Sequence, residues 1–278
     1  MEPRVAVIIP CFSAGRWLSE AISSLREPEP LELVVVDDAS PDAATRAVLD
    51  EVEADGVRVI RRKTNGGCAV ARTAGLQATG APYVFPLDAD DLALPGRIAA
   101  AADRLDAEPA AVACVGDYAE FGRSSYVRVV PPLLDPYRVA FTNEYPVTSL
   151  LRRTALERIG GWRDPLPAHR GYEDWCMWMD FAQEAATIVH FGGVMYRRRV
   201  HGVGLVAAAH RREGDLYRAL RSQHPALFAQ RRAHRRRSDL SRTRRVLYPI
   251  VYGNRRVTAS ARALKPWLDR IGIGTQCR

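Results

Sequence analysis

The sequence predicts an α/β fold: a mostly parallel central sheet flanked by helices, followed by a basic helical extension. Three observations carry that prediction. Short β-branched runs alternate with amphipathic stretches through about the first 118 residues, which is the rhythm of βαβ units. Two of the runs, VAVII and LVVV, are unbroken and read as buried strands. Eight of the arginines fall within 231–245 against one acid, Asp239, so the net charge of +8 belongs mainly to the C-terminal region.

In order, residues 5–9 form the first strand, closed by Pro10. Residues 14–26 space Trp17, Leu18, Ala21, Ile22 and Leu25 at helical intervals. LELVVVDD is a second strand ending in Asp37 and Asp38, and SPD caps a helix over about 42–54. VRVIRR is a third strand, and the NGG turn leads into a helix over 68–78. YVFPL is a fourth strand, a helix starts near Pro95, and AAVACVGDY is a fifth strand. After about residue 118 the rhythm changes. SSYVRVV is extended, TSLLRRTALERIGGW is a strand, a short helix and a glycine turn, and EDWCMWMDFAQEA is a helix. TIVHFGGVMYRRRVH holds two strand-like pieces, and residues 208–278 are mostly helical and basic.

In a parallel sheet of this kind, ligands bind beyond the carboxyl ends of the strands. That places Pro10 to Phe12, Asp37 and Asp38, and the cluster Asp88, Asp90 and Asp91 along one edge. Carboxylates this close raise one another's pKa unless a positive charge sits among them. Asp88-Ala89-Asp90, taken as extended, sets two carboxylates on one side. That suits a hard cation, Mg²⁺ or Mn²⁺, which needs few protein carboxylates when phosphates complete its shell. Capping of the following helix by Asp90 or Asp91 is the plainer alternative. Asp37-Asp38 has the same two readings: a contact to a base or ribose, or a cap for the helix at SPD. Glu173 and Asp174 open a helix, where acids suit the dipole; the functional reading is a general base beside Trp175. Gly160-Gly161-Trp162 reads as a tight turn, with Trp162 either facing the sugar or acceptor or simply packing.

VAVIIPCF, LVVVDDAS, NGGCAVARTAG, YVFPLDADD, GGW and YEDWCMW, in that order and spacing, resemble the motifs of family 2 glycosyltransferases over roughly residues 4–204. The resemblance implies a GT-A, Rossmann-like fold and an inverting transfer from a nucleotide-diphosphosugar, a UDP-sugar first. It implies that Phe12, where most members have Tyr followed by Asn, stacks on the nucleobase beside Pro10. Asp38 resembles the acid that hydrogen-bonds the base, and Arg72 lies near the nucleotide, with Thr73 in place of the usual Asn. Asp88 falls near the ribose and the metal, Ala89 within the nucleotide-binding set, Asp90 at the principal metal ligand, and His201 at a further metal or diphosphate contact. Asp174 resembles the catalytic base, with Glu173 beside it facing the acceptor or supporting the pocket. The chain then divides into a nucleotide-sugar-binding half (1–118), an acceptor and base half of the same domain (119–205), and the basic helical extension (206–278).

The rivals fit less well. A nucleotidyltransferase should carry a glycine-rich loop after strand one, and PCFSAGRW has only Gly15. A haloacid-dehalogenase-type phosphatase should carry its DxD on the first strand rather than the fourth. A nucleic-acid-binding protein would use the arginines but leave the acidic edge without a role. The five scattered cysteines and the lack of an apolar run of about 18 residues lead to the expectation of a cytoplasmic protein without a disulfide framework. The acceptor is expected to be a glycan, a lipid-linked sugar or a small metabolite. The arginine-rich segment is a solvated helix face or a peripheral contact with anionic lipid at the inner face of the membrane, with YPIVY and PWL supplying apolar contact. A homodimer contact there is the remaining expectation.

Overall fold

The computed structural model describes residues 2–166, 171–201 and 213–253. β1 (Val5–Cys11), β2 (Glu32–Asp37), β3 (Arg58–Arg61) and β4 (Tyr83–Pro86) run parallel in the order β3-β2-β1-β4. Their crossovers are α1 (Gly15–Ser23), α2 (Ala43–Ala54) and α3 (Cys68–Ala78). Asp42 is the N-cap of α2, accepting from the Thr45 N–H at 2.7 Å.

The second half leaves the parallel plan. β8 (Leu150–Arg152) inserts beside β4 and runs antiparallel to it. β6 (Ala111–Gly122) follows, antiparallel to β8, and β9 (Thr187–Val200) lies parallel to β6. The sheet thus continues β4-β8-β6-β9, with β5 (Leu92–Ala93) antiparallel on β9 and β7 (Val127–Arg128) on β6. α4 (Arg97–Ala107), α5 (Pro136–Val139), α6 (Arg153–Arg158) and α7 (Glu173–Gln183) complete this half. The two pieces expected in TIVHFGGVMYRRRVH are one strand. It bulges at Gly192 (φ +90°), where the pairing jumps from Val115 opposite His190 to Asp117 opposite Val194.

Period-2 alternation divides the core between the two faces of the sheet. Val5, Val7 and Ile9 of β1 pack with Val35, Leu18, Leu49, Ile98 and Leu105, whereas Ile8 packs with Val34, Val36, Leu76 and the helix bearing Trp175 and Trp178. Gly75 lets α3 lie directly on β1, because a Cβ there would meet Ile8 Cγ2 at 2.4 Å. This close approach fixes the depth of α3, and with it the position of Arg72 one turn earlier.

The described part of the C-terminal extension is helical, as α8 (Glu213–Gln223), α9 (Pro225–Ala229), α10 (Arg231–Arg237) and α11 (Arg242–Gly253). It is joined to the main body rather than hung from it. Leu220 and Leu227 belong to the same buried cluster as Trp175, and Leu240 and Tyr248 pack with Tyr137 and Phe141. Among the described residues, no helix is long and apolar enough to cross a membrane. The PWL segment and Cys277 lie outside the described residues.

Candidate active site

The parallel pairing of β1 with β2 and β4 brings their carboxyl ends together. Pro10 is buried in β1 opposite Val36. Two residues on, Phe12 turns its ring outward and is 48% exposed, open enough to be stacked upon. The chain bends sharply here: Ser13 (φ +51°) and Ala39 (φ +62°) both sit in the left-handed region, which costs a residue with a Cβ on the order of 1–2 kcal/mol. Two such residues at adjoining strand ends mark a strained edge.

Asp38, at the end of β2, is buried. One of its carboxylate oxygens accepts from Arg62 and from the Gly66 N–H at 2.9 Å, and the other from the Gly67 N–H at 2.6 Å. It therefore holds the NGG turn that launches α3, where Gly67 adopts φ +88°. It does not cap α2, which is the task of Asp42. Asp37 accepts from the Ser40 N–H at 2.9 Å.

Residues 88–91 form a turn, not an extended segment, because the Asp91 N–H closes onto the Asp88 carbonyl at 3.0 Å. The three acids consequently point to three different partners. Asp88 accepts from Arg72 Nη2 at 2.6 Å. Asp90 Oδ2 lies 2.7 Å from His201 Nε2, and burial followed by the charge of Asp88 raises its pKa. Asp91 is buried and accepts from the Arg199 N–H at 2.9 Å, tying the turn to β9; burial and its two acidic neighbours hold it well above the usual carboxylate range. None of them caps α4, whose N-cap is Gly96. Ala89 is buried and belongs to the same core cluster as Leu87 and Ala93. His201 packs on Trp17 with ring centroids 4.4 Å apart and planes tilted by 33°, and among the described residues its buried Nδ1 has no hydrogen-bond partner.

α7 supplies the opposite wall. Gly171 (φ +118°) and Tyr172 (φ +69°) turn the chain so that Glu173 and Asp174 occupy its first turn. Arg72, only 2% exposed, reaches across from α3: Nη1 donates to Glu173 at 2.7 Å while Nη2 holds Asp88. Asp174 accepts from Asn143 Nδ2 at 2.8 Å and from the Trp175 N–H at 2.7 Å. Burial, then the charge of Glu173, pushes its pKa up to about 7, against the opposing pull of Arg72. A carboxylate held near neutral pH beside Glu173 and Arg72 is suited to general-base work. Trp175 and Trp178 are both buried, donating to the Val139 and Pro146 carbonyls, and belong to the core. Trp162 is buried too, so GGW is a packing turn.

Three of the pairs join residues the sequence singles out, Arg72 with Asp88 and with Glu173, and Asp90 with His201; the partners Arg62, Asn143, Trp17 and Arg199 are not among the sequence-based site residues. Nothing local marks Asn143, which lies in the loop after α5, or Arg62, one residue past β3. Among the described residues, three metal-ligating side chains crowd together only at Cys176, Asp180 and His224, on α7 and at the start of α9. There Asp180 already pairs with Arg163 and His224, so that cluster reads as a hydrogen-bonded brace. A hard cation fits better at Asp90 and His201. Asp90 Oδ2 and His201 Nε2 offer one oxygen and one nitrogen 2.7 Å apart, and a diphosphate would supply further oxygens.

A curled, mixed sheet with an acidic edge at the ends of its parallel strands and a tuned carboxylate on the facing helix defines the GT-A class of glycosyltransferases. The chain belongs to glycosyl transferase family 2, whose profile matches residues 6–160. Glu173, Asp174 and His201 lie past the matched stretch. It is 35% identical over 96 residues to the succinoglycan biosynthesis protein ExoU of Rhizobium meliloti, covering 34% of this chain and 28% of that protein. It is 26% identical over 206 residues to EpsE of Bacillus subtilis, covering 71% and 73% of the two chains. The chain spans less than half the length of ExoU and of EpsJ, another Bacillus subtilis relative. The fold matches Staphylococcus aureus TarS (residues 1–349) in complex with UDP-GlcNAc, with TM-score 0.64 and 19% identity over 92% of this chain and 73% of that one. It also matches the mannosyltransferase PcManGT of Pyrobaculum calidifontis in complex with GDP-Man and Mn²⁺, with TM-score 0.56 and 20% identity over 96% and 88%.

Proposed function

We propose that the enzyme moves a sugar, with inversion, from a nucleoside-diphosphate donor, UDP-linked first, to a hydroxyl of a glycan, a lipid-linked sugar or a small metabolite. The observation that carries this reading is Arg72, which joins the acids of the donor edge to the helix bearing Asp174. Phe12 stacks on the nucleobase beside Pro10, and Asp38 fixes the turn that walls the base. Asp88 and the Ala89 backbone meet the ribose. Asp174, oriented by Asn143, takes the proton from the acceptor oxygen as that oxygen attacks the anomeric carbon from the face opposite the diphosphate. Glu173 keeps Arg72 in place behind it. Mn²⁺ or Mg²⁺ on Asp90 and His201 supplies Lewis-acid stabilisation of the departing diphosphate when bound. The four described cysteines are free thiols, which accords with a reducing, cytoplasmic site of action.

The test is isothermal titration of UDP, dTDP and GDP into the protein, with Mn²⁺ and with EDTA, for the wild type and Asp90→Ala. Metal-dependent binding of one diphosphate, lost in the variant, supports the reading. Failure of all three nucleotides to bind under either condition refutes it.

A further inference from the structure

We propose that α10 and α11 form a docking face for an anionic lipid bilayer. α10 reads RRAHRRR; it carries five arginines and no acid, and none of its residues is buried. Its inward stripe is known, because Gln230, His234 and Arg237 line a cavity of about 280 Å³ against α7 and the segment leading into α5. At 3.6 residues per turn, Arg232 and Arg236 therefore lie on the opposite, outward face, with Arg235, also exposed, at its edge on the side of Tyr137. An ordinary solvated helix mixes the signs of its charges. Here Arg231 and Arg235, and Arg232 and Arg236, are like charges one turn apart, which weakens the helix unless something anionic lies against it. Guanidinium groups suit phosphate, which they bind in a bidentate fashion.

The adjoining helix favours a bilayer over a nucleic acid. Val246 and Ile250 of α11, one turn apart, are 53% and 58% exposed. Arg245 pins this helix to the end of α10, donating to the carbonyls of Leu240 at 2.8 Å and Arg236 at 3.2 Å. Polybasic and exposed apolar side chains on adjoining helices match the headgroup and acyl layers of a membrane surface; a nucleic acid offers nothing comparable to the apolar pair. The face is rigidly attached. Tyr137 donates to the Arg245 carbonyl at 2.8 Å, and Arg138 bridges Glu144 and Asp239. Both arise from α5, directly before the loop that presents Asn143 to Asp174. Docking would hold that loop near the bilayer and favour a lipid-linked acceptor. This last consequence rests on the glycosyl-transfer reading; the docking does not.

Flotation of the full chain would use vesicles of phosphatidylcholine alone and with about one third phosphatidylglycerol, at about 0.05 and 0.5 M salt. The chain should float with the anionic vesicles only, and less at high salt. Each outward arginine contributes on the order of fivefold near such a surface, so Arg232→Gln, Arg235→Gln and Arg236→Gln together should lower partitioning by roughly 100-fold. The matching lysine triple should retain most of it, and Val246→Ser with Ile250→Ser should lower it severalfold. UDP titration into the same variants should match the wild type, which separates loss of docking from loss of the donor site. The proposal is overturned by any of three results. The first is no flotation with anionic vesicles at low salt. The second is flotation indifferent to the glutamine triple, or flotation indifferent to the serine pair, the latter being what a general polyanion site would give. The third is a dimer abolished by the serine pair without vesicle binding, which would make a second copy the occupant.

Discussion

Arg72 is the residue whose loss should be felt twice. Its guanidinium is almost fully buried and bridges Glu173, 14% exposed, and Asp88, 36% exposed. Removing one member of a buried ion pair leaves an uncompensated charge, at a cost of about 3–5 kcal/mol. Asp88 is open enough for water to take over part of its pairing, so the main loss lies with Glu173 and the lower end applies, about 3 kcal/mol. At roughly 2–4 °C per kcal/mol for a chain of this size, Arg72→Met should lower the melting temperature by about 6–12 °C. The second effect is electrostatic. Arg72 draws down the pKa of Asp174, which burial and Glu173 push up to about 7. A Lys at 72 can place its charge against one carboxylate but lacks the planar fork that reaches both. Arg72→Lys should therefore fold, melt lower than the wild type, and move the rising limb of the pH–rate profile to higher pH. The assays are denaturant unfolding of both variants at pH 7.5 and the pH dependence of kcat/KM for Arg72→Lys. Loss of less than about 1 kcal/mol in Arg72→Met, with an unmoved profile in Arg72→Lys, would refute the bridging role.

Other expectations follow from the same geometry. For the wild type, kcat/KM should rise with pH through about 7 as Asp174 ionises, and be roughly 100-fold lower at pH 5, where about one carboxylate in a hundred is charged. Asp174→Asn should cut kcat by about 10²–10⁴-fold while leaving UDP binding by calorimetry unchanged. Because its folded pKa is raised, ionising Asp174 costs stability as pH climbs from the ordinary carboxylate value, 3.8, to about 7. Asp174→Asn should therefore melt above the wild type at pH 8 and show no such gain at pH 4. Phe12→Ala should weaken nucleotide binding by about 1–3 kcal/mol, roughly 5- to 150-fold in Kd, with kcat at saturation little changed. Ala39→Gly relieves a left-handed alanine but loosens the unfolded chain, for a net gain of about 0.5–1 kcal/mol, read as a melting point raised by a few degrees.

What the sequence revealed is what is local. α3 is predicted over the residues it occupies because NGG launches it and its strand neighbours are unbroken apolar runs. β1 to β4 are legible for the same reason. The insertion of β8 between β4 and β6 is not, since a three-residue strand carries no pattern and sheet order is decided by pairing across the chain. The bulge of β9 was read as a break because Gly192-Gly193 resembles a turn until its partner, β6, is known.

The site shows the same division between residue type and partner. Asp38, Asp88, Asp90 and Asp174 stand out as acids at element ends, but the groups that answer them lie 16 to 111 positions away. Those partners decide which acid is available. Asp88 is held by a guanidinium, which keeps its proton throughout the working pH range. Asp91 is held by a backbone N–H, fixed by the strand it belongs to. Asp90 alone of the three faces an imidazole, whose Nε2 lies 2.7 Å from its Oδ2 and is a nitrogen donor that a cation can share with the carboxylate. This is the physical ground for assigning the divalent ion to Asp90 and His201 rather than to the acid cluster as a whole, and it is why loss of Asp90 is the informative test. Asp88 and Asp91 would remain tied to the fold in the variant, so nucleotide binding that vanished with Asp90 alone would report the ion and not a collapsed turn.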